Sequence, residues 1–132
     1  LRGGAGNDTL DGGSGNDVIG GGNGDDVLLG SDGDDILVGG NGLDVLDGGA
    51  GNDTLSGRGN SDTFVFSLGH DTVEDFLDGY EFIDLTARGL VVADLAIRGV
   101  GDDTVIEDGA GNTMTLIGVD AVHIDADDFL VG

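Results

Sequence analysis

Seven aspartates carry the first chemistry legible in this chain. Asp8, Asp17, Asp26, Asp35, Asp44, Asp53 and Asp62 recur at a strict nine-residue interval. An ionised carboxylate is a hard, acceptor-only oxygen donor, so a row of them suits a hard cation of flexible, high coordination number. Oxygen-only ligands of this kind favour Ca²⁺ before Mg²⁺ and far before Zn²⁺, and the absence of Cys removes any thiolate site. The acids number 27, and all but Glu74, Glu81 and Glu107 are Asp, the turn-compatible carboxylate, which points to ligands in loops.

The elements that must position these carboxylates follow from the residues between them. Repeats begin at Gly3, Gly12, Gly21, Gly30, Gly39, Gly48 and Gly57, each reading G-G-x-G-x-D-x-U-x with U a large apolar residue. Column eight is Leu10, Ile19, Leu28, Leu37, Leu46, Leu55 and Phe64, and column seven is Thr or β-branched throughout. Gly at columns one, two and four allows a turn that needs positive φ and close backbone approach. Columns seven to nine then form a short strand, stacked parallel on the strand two repeats later, with column eight pointing inward. The interior becomes two stacks, Leu10, Leu28, Leu46 and Phe64 on one sheet and Ile19, Leu37 and Leu55 on the other.

One inward side chain per repeat is a thin core against the backbone entropy of so many Gly. The Asp column adds a second defect. Asp8, Asp26, Asp44 and Asp62 line one edge and Asp17, Asp35 and Asp53 the other, each ~4.8 Å from the next. Carboxylates at that spacing repel unless a cation lies between them. Counting gaps predicts about three sites on the first edge and about two on the second, or about five Ca²⁺ ions.

This pattern resembles the RTX (repeats-in-toxin, hemolysin-type) calcium-binding nonapeptide repeat. The resemblance implies an all-β, right-handed parallel β-roll with a C-terminal β cap. It also implies that Asp carboxylates of two successive turns share each ion, completed by main-chain carbonyls of columns one to four. Carried over, the carbonyls are those of Gly3, Ala5, Gly12, Ser14, Gly21, Gly22, Asn23, Gly24, Gly30, Ser31, Asp32, Gly33, Gly39, Gly40, Asn41, Gly42, Gly49 and Gly51. Two repeats depart from the pattern: the fourth has Ser31 at column two, and the seventh has Arg58, Gly59 and Asn60 at columns two to four. Asn tolerates the left-handed region, whereas Arg58 marks an imperfect closing turn.

The period disappears beyond Val65, which divides the chain into residues 1–65, the calcium-binding roll, and residues 66–132, a β cap over the open end of the solenoid. Expected strands are Asp62 to Phe66, Thr72 to Phe76, Glu81 to Leu85, Thr104 to Glu107, Thr113 to Ile117 and Phe129 to Val131, with a hairpin from Thr104 to Ile117 and one helical turn at Val92 to Ala96. The stretch from Asp62 through Asp71 and Phe76 to Leu85 is similar to the transition that ends RTX rolls in secreted bacterial metalloproteases, and this likeness implies Asp71 as one further Ca²⁺ ligand. The tail Asp127-Asp128-Phe129-Leu130-Val131-Gly132 is similar to the uncleaved signal of type I (ABC transporter) substrates of Gram-negative bacteria. That likeness implies a secreted, extracellular protein with the type I apparatus as partner.

Catalytic constellations are weak. His70 and His123 lie in no H-E-x-x-H frame, there is no G-x-S-x-G elbow, and Cys and Lys are absent. The pairs Asp25-Asp26 and Asp34-Asp35 have a glycosidase flavour, but column six already accounts for one member of each. The expectation is therefore a non-enzymatic module, with any catalytic part lying upstream of the fragment. A net charge of -23 disfavours nucleic acid, and no apolar run is long enough to span a membrane. Two functional readings fit: a module that folds on extracellular Ca²⁺ and supports secretion and folding of a larger protein, and a Ca²⁺-dependent module that binds an alginate-like polysaccharide. The second is opposed by the scarcity of cations, which are Arg2, Arg58, Arg88 and Arg98 alone.

Overall fold

The computed structural model describes residues 1–77 and 79–132. The repeats build strands β1 (Arg2–Ala5), β2 (Thr9–Ser14), β3 (Val18–Asn23), β4 (Val27–Asp32), β5 (Ile36–Asn41), β6 (Val45–Asp47), β7 (Ala50–Gly51), β8 (Thr54–Gly59) and β9 (Thr63–Val65). Beyond them lie β10 (Leu68–Val73), β11 (Phe82–Asp84), β12 (Ala96–Val100), β13 (Asp103–Glu107), β14 (Thr113–Leu116) and β15 (Phe129–Leu130). Helical backbone among the described residues is confined to single 3₁₀ turns, one of them Val92–Asp94.

Two parallel ladders stack along the coil. One runs β1, β3, β5, β8, β10, β14, and the other β2, β4, β6, β9, β11, β15. The column-eight residues face one another in register: Ile19, Leu37 and Leu55 in the first, Leu10, Leu28, Leu46 and Phe64 in the second. All except Leu10 are completely buried, and each buried side chain contributes roughly 2 to 3 kcal/mol. The result is a parallel β-solenoid with an inner line of side chains and two Asp-lined edges.

Three features differ from the sequence expectation. Five of the nine strands of the repeats, β2, β3, β4, β5 and β8, are six residues long because columns one to three also join the ladder, with column two at positive φ. The coil also does not stop with the period. Val73 pairs with Leu55 and Leu116 with Val73, while Ile83 pairs with Phe64 and Phe129 with Ile83, so both inner stacks run on into the second half. Here the stacking apolar residues stay while the spacing changes, because residues between Leu85 and Thr113 loop out as the β12–β13–β14 antiparallel hairpins. Finally, the helical turn ends at Asp94 and Ala96 opens a strand, β12, that the sequence did not announce. The Thr104 to Ile117 hairpin forms as expected. Phe76 lies against Phe64, with ring centroids 6.2 Å apart.

Candidate metal centre

The glycines and aspartates of one repeat meet at the edge of the coil. In Asp26, Asp35, Asp44, Asp53 and Asp62 the two carboxylate oxygens do different work. One oxygen belongs to the ladder: Asp26 Oδ1 accepts the Asp8 N–H at 2.8 Å, and Asp35 that of Asp17 at 2.7 Å. Asp44 serves Asp26, Asp53 serves Asp35, and Asp62 serves Asp44 at 2.8–2.9 Å, while Asp71 serves Asp53 at 3.1 Å. The other oxygen has nothing. Oδ2 of Asp8, Asp17, Asp26, Asp35, Asp44, Asp53 and Asp62 is buried without a hydrogen-bond partner.

Each orphaned oxygen lies in a cradle floored by the column-one glycine of its own repeat. A methyl group on Gly12 would stand 2.8 Å from Asp17 Oδ2 and 3.0 Å from the Gly30 carbonyl of the next coil. The same pairing recurs at Gly3 with Asp8 and the Gly21 carbonyl, and at Gly21 with Asp26 and the Gly39 carbonyl. A side chain at column one would fill the space where carboxylate and carbonyl oxygens converge, which is the physical reason for glycine there. Buried, unpaired carboxylate oxygens beside a carbonyl fit a hard divalent cation, and an unneutralised buried charge is otherwise costly. Among the described residues no three His, Asp or Glu side chains converge as a cluster. A cation held here would draw on main-chain carbonyls as further donors.

The carbonyls of columns one to four are not equivalent. Those of column one at Gly21, Gly30, Gly39 and Gly48 stand at the cradles of Asp8, Asp17, Asp26 and Asp35. Those of column three, at Asn23, Asp32 and Asn41, accept the N–H of Gly6, Gly15 and Gly24 one coil back, at 2.8 Å. The carbonyls of columns two and four stack against the glycine of the same column in the next coil, as Gly4 and Gly22 do against Gly22 and Gly40. Asp71 joins the ladder but differs from the seven in its second oxygen, which accepts the Ser67 hydroxyl at 2.7 Å. Burial first, then the neighbouring Asp53, raises its pKa to about 7 against the lowering effect of the Ser67 and Asp53 hydrogen bonds. Burial likewise raises Asp62 to about 6, with Asp44 and Asp75 repelling it.

Two sets of residues escaped the sequence reading. Column five forms its own ladder, in which Asn7, Asn16, Asp25, Asp34 and Asn52 accept the N–H of Asp25, Asp34, Leu43, Asn52 and His70 at 2.8–3.0 Å. The signal was the Asn or Asp in most repeats at that column. Glu81 occupies the column-six place of the coil after Asp62, since Phe82 pairs with Thr63. It is buried, accepts the Leu77 N–H at 2.7 Å, and burial, with Asp75 and Asp62 nearby, raises its pKa to about 7. The spacing carboxylate-x-apolar, seen in Asp71-Thr72-Val73 and Glu81-Phe82-Ile83, would have revealed both continuations. His70 and His123 are exposed, and His70 Nδ1 lies 3.0 Å from Thr113 Oγ1.

Fold and site together define a calcium-binding β-solenoid module. The family model of the RTX calcium-binding nonapeptide repeat matches in four overlapping copies, at residues 1–28, 21–46, 29–64 and 38–73, more than half the chain, and the chain belongs to that family. RTX repeats bind calcium, and the repeat domain is a structural calcium-binding module. The crystal structure of the extracellular lipase LipA from Serratia marcescens matches over 92% of this chain with a TM-score of 0.73 and 30% identity. This chain spans 20% of that lipase. Solution structures of the AlgE6R3 and AlgE6R2 subunits of the Azotobacter vinelandii mannuronan C5-epimerase match with TM-scores of 0.50 and 0.51 at 27% and 26% identity. Those matches cover 96% and 99% of this chain and 78% and 91% of the subunits. No curated protein sequence matches. No helix among the described residues is long and apolar enough to cross a membrane.

Proposed function

We propose that this chain is a calcium-conditional folding module of a larger secreted protein, carried through a type I transporter in an expanded state and folded outside the cell. The observation that carries this reading is the set of seven buried, partnerless Oδ2 atoms. In calcium-poor cytosol a chain of net charge -23 with a thin core stays open and threadable. Asp8, Asp26, Asp44 and Asp62 on one edge, and Asp17, Asp35 and Asp53 on the other, would hold about five ions with the column-one carbonyls. When bound, Ca²⁺ supplies the positive charge that lets successive carboxylates stand one strand apart. The chain's own part is to present those oxygens in register and to stack the column-eight side chains behind them. Residues 66–132 would close the end of the roll and carry the transport signal in the tail, and any catalytic activity would lie in the parent protein outside this chain.

Far-UV circular dichroism against calcium concentration tests the proposal. A cooperative rise in β signal is expected, lost when Asp26→Ala and Asp44→Ala are combined. A full β spectrum in excess chelator, or indifference to the double substitution, would sink it.

A second reading, calcium-dependent polysaccharide binding, is favoured by the likeness to subunits of an enzyme named for mannuronan. Retention of the chain on immobilised mannuronan, with calcium and with chelator, tests that reading directly.

A further inference from the structure

The four arginines divide into two kinds. Arg88 pairs with Asp108 at 2.5 Å and Arg98 with Glu107 at 2.6 Å. Arg2 and Arg58 make no ion pair among the described residues, although the chain has 27 acids to offer. Both line one concavity of about 490 Å³ on the outer face of the β1–β3–β5–β8 sheet, with Val18 and Val38 between them and Gly22 and Gly40 in its floor. Among the described residues no carboxylate lines it, although Asp75 Oδ2 accepts the Arg58 backbone N–H at 2.9 Å; three other concavities each contain at least two carboxylates. Arg2 lies on the first of these strands and Arg58 on the fourth, so their strands are ~14 Å apart across the sheet, with Arg58 two residues further along than Ser56, which is level with Arg2.

The position of Arg58 adds a third observation. Column two requires the left-handed region, and Arg58 adopts it at φ 75°. Five of the seven repeats have Gly there. An arginine at such a site is conformationally unfavourable, and it makes no compensating ion pair within the described chain. A glycine floor without side chains, apolar walls and two unpaired guanidiniums form a shallow, extended anion-binding surface. Elsewhere the field of the molecule repels anions.

We propose that this groove binds a linear polyuronate, with Arg2 and Arg58 each taking a sugar carboxylate and the methyl groups of Val18 and Val38 meeting the ring faces. The proposal rests on the second reading above and gives it a place. A polymer with a carboxylate on every unit can meet cations on two strands ~14 Å apart without a special register, while neutral glycans forgo both charged contacts.

Isothermal titration of the chain in millimolar calcium with hexamannuronate provides the test, using neutral mannohexaose and hexaglutamate as comparison ligands. Arg58→Gly restores the repeat consensus and relieves the left-handed strain, so it folds at least as well; it should weaken hexamannuronate binding about tenfold or more. Arg98→Gln should leave binding unchanged, and added salt should weaken it. Binding of Arg58→Gly within about twofold of the unsubstituted chain overturns the groove while the polysaccharide reading survives. Equal affinity for hexaglutamate or mannohexaose overturns it as a polyuronate site. No binding of hexamannuronate by the unsubstituted chain overturns both.

Discussion

Replacing Asp44 with Asn separates charge from hydrogen bonding in the carboxylate ladder. Asn is isosteric and keeps an Oδ1 that can accept the Asp26 N–H, now bonded at 2.9 Å. It removes the charge of a group whose other oxygen is buried and has no partner. Burial first, then repulsion from Asp26 and Asp25, pushes the Asp44 carboxyl above its ordinary value, against the lowering effect of the Asp26 N–H. Asp44 lies between Asp26 and Asp62 in the ladder and so borders two gaps. Extracellular calcium sites bind at roughly 10⁻⁴ to 10⁻³ M, so at ~10 mM calcium each contributes about 1.4 to 2.7 kcal/mol. Weakening both gaps should cost about 3 to 5 kcal/mol in calcium. In chelator the substitution only removes a repulsive charge, and the chain should be no less ordered than before. Asp44→Ala also leaves the Asp26 N–H without an acceptor and should cost about 1 to 3 kcal/mol more. Urea unfolding followed by far-UV circular dichroism, in calcium and in chelator, measures both. An unchanged urea midpoint for Asp44→Asn in calcium, or a loss of order in chelator, refutes the reasoning.

Other perturbations probe the remaining layers of the structure. Leu37→Ala empties a fully buried place between Ile19 and Leu55 and should cost about 2 to 5 kcal/mol in urea unfolding with calcium present. Gly39→Ala puts a methyl group against Asp44 Oδ2 and should raise the calcium concentration needed for the circular dichroism transition. In chelator, acidification should order the chain: Asp62 is raised to about 6, and Asp71 and Glu81 to about 7, from ordinary values near 4. Their stabilising contribution is fully present below about pH 4 and lost as pH rises through 6 to 7, so more β signal is expected at pH 5 than at pH 8. Asp108 accepts from Arg88, Ala110 and Asn112; burial opposes its ionisation, but these bonds, from Asn112 first, hold it well below the usual carboxylate range. Asp108→Ala should destabilise the chain by about 3 kcal/mol in calcium, measured by urea unfolding, with little change in the calcium midpoint.

The repeating half was legible because its period and its physics are local. A carboxylate two residues before an inward apolar residue, followed by glycines, prescribes the same turn wherever it occurs. Stacking identical turns fixes Leu10 against Leu28 and Asp26 against Asp44. The second half was less legible because its partners are set at long range. Gly69 donates to Asn112 Oδ1, 43 residues away, and Leu116 finds Val73 only after two hairpins have looped out. Strand length was underestimated because glycines that serve the turn also donate to the ladder, a role their identity does not advertise.

By itself the sequence determined the coil, its register, the inward stack, the seven aspartates and the class of cation they suit, since all these depend on residues nine or eighteen apart. Tertiary structure decided how each carboxylate is divided. In Asp26, Asp35, Asp44, Asp53 and Asp62 one oxygen is committed to the neighbouring coil's N–H and the other is left buried without a partner, whereas at Asp71 Ser67 occupies the second oxygen. It also brought Arg2 and Arg58 to one groove that no carboxylate among the described residues lines. Composition records how many charges a chain carries, but only folding in three dimensions determines which of them are neutralised and which remain available.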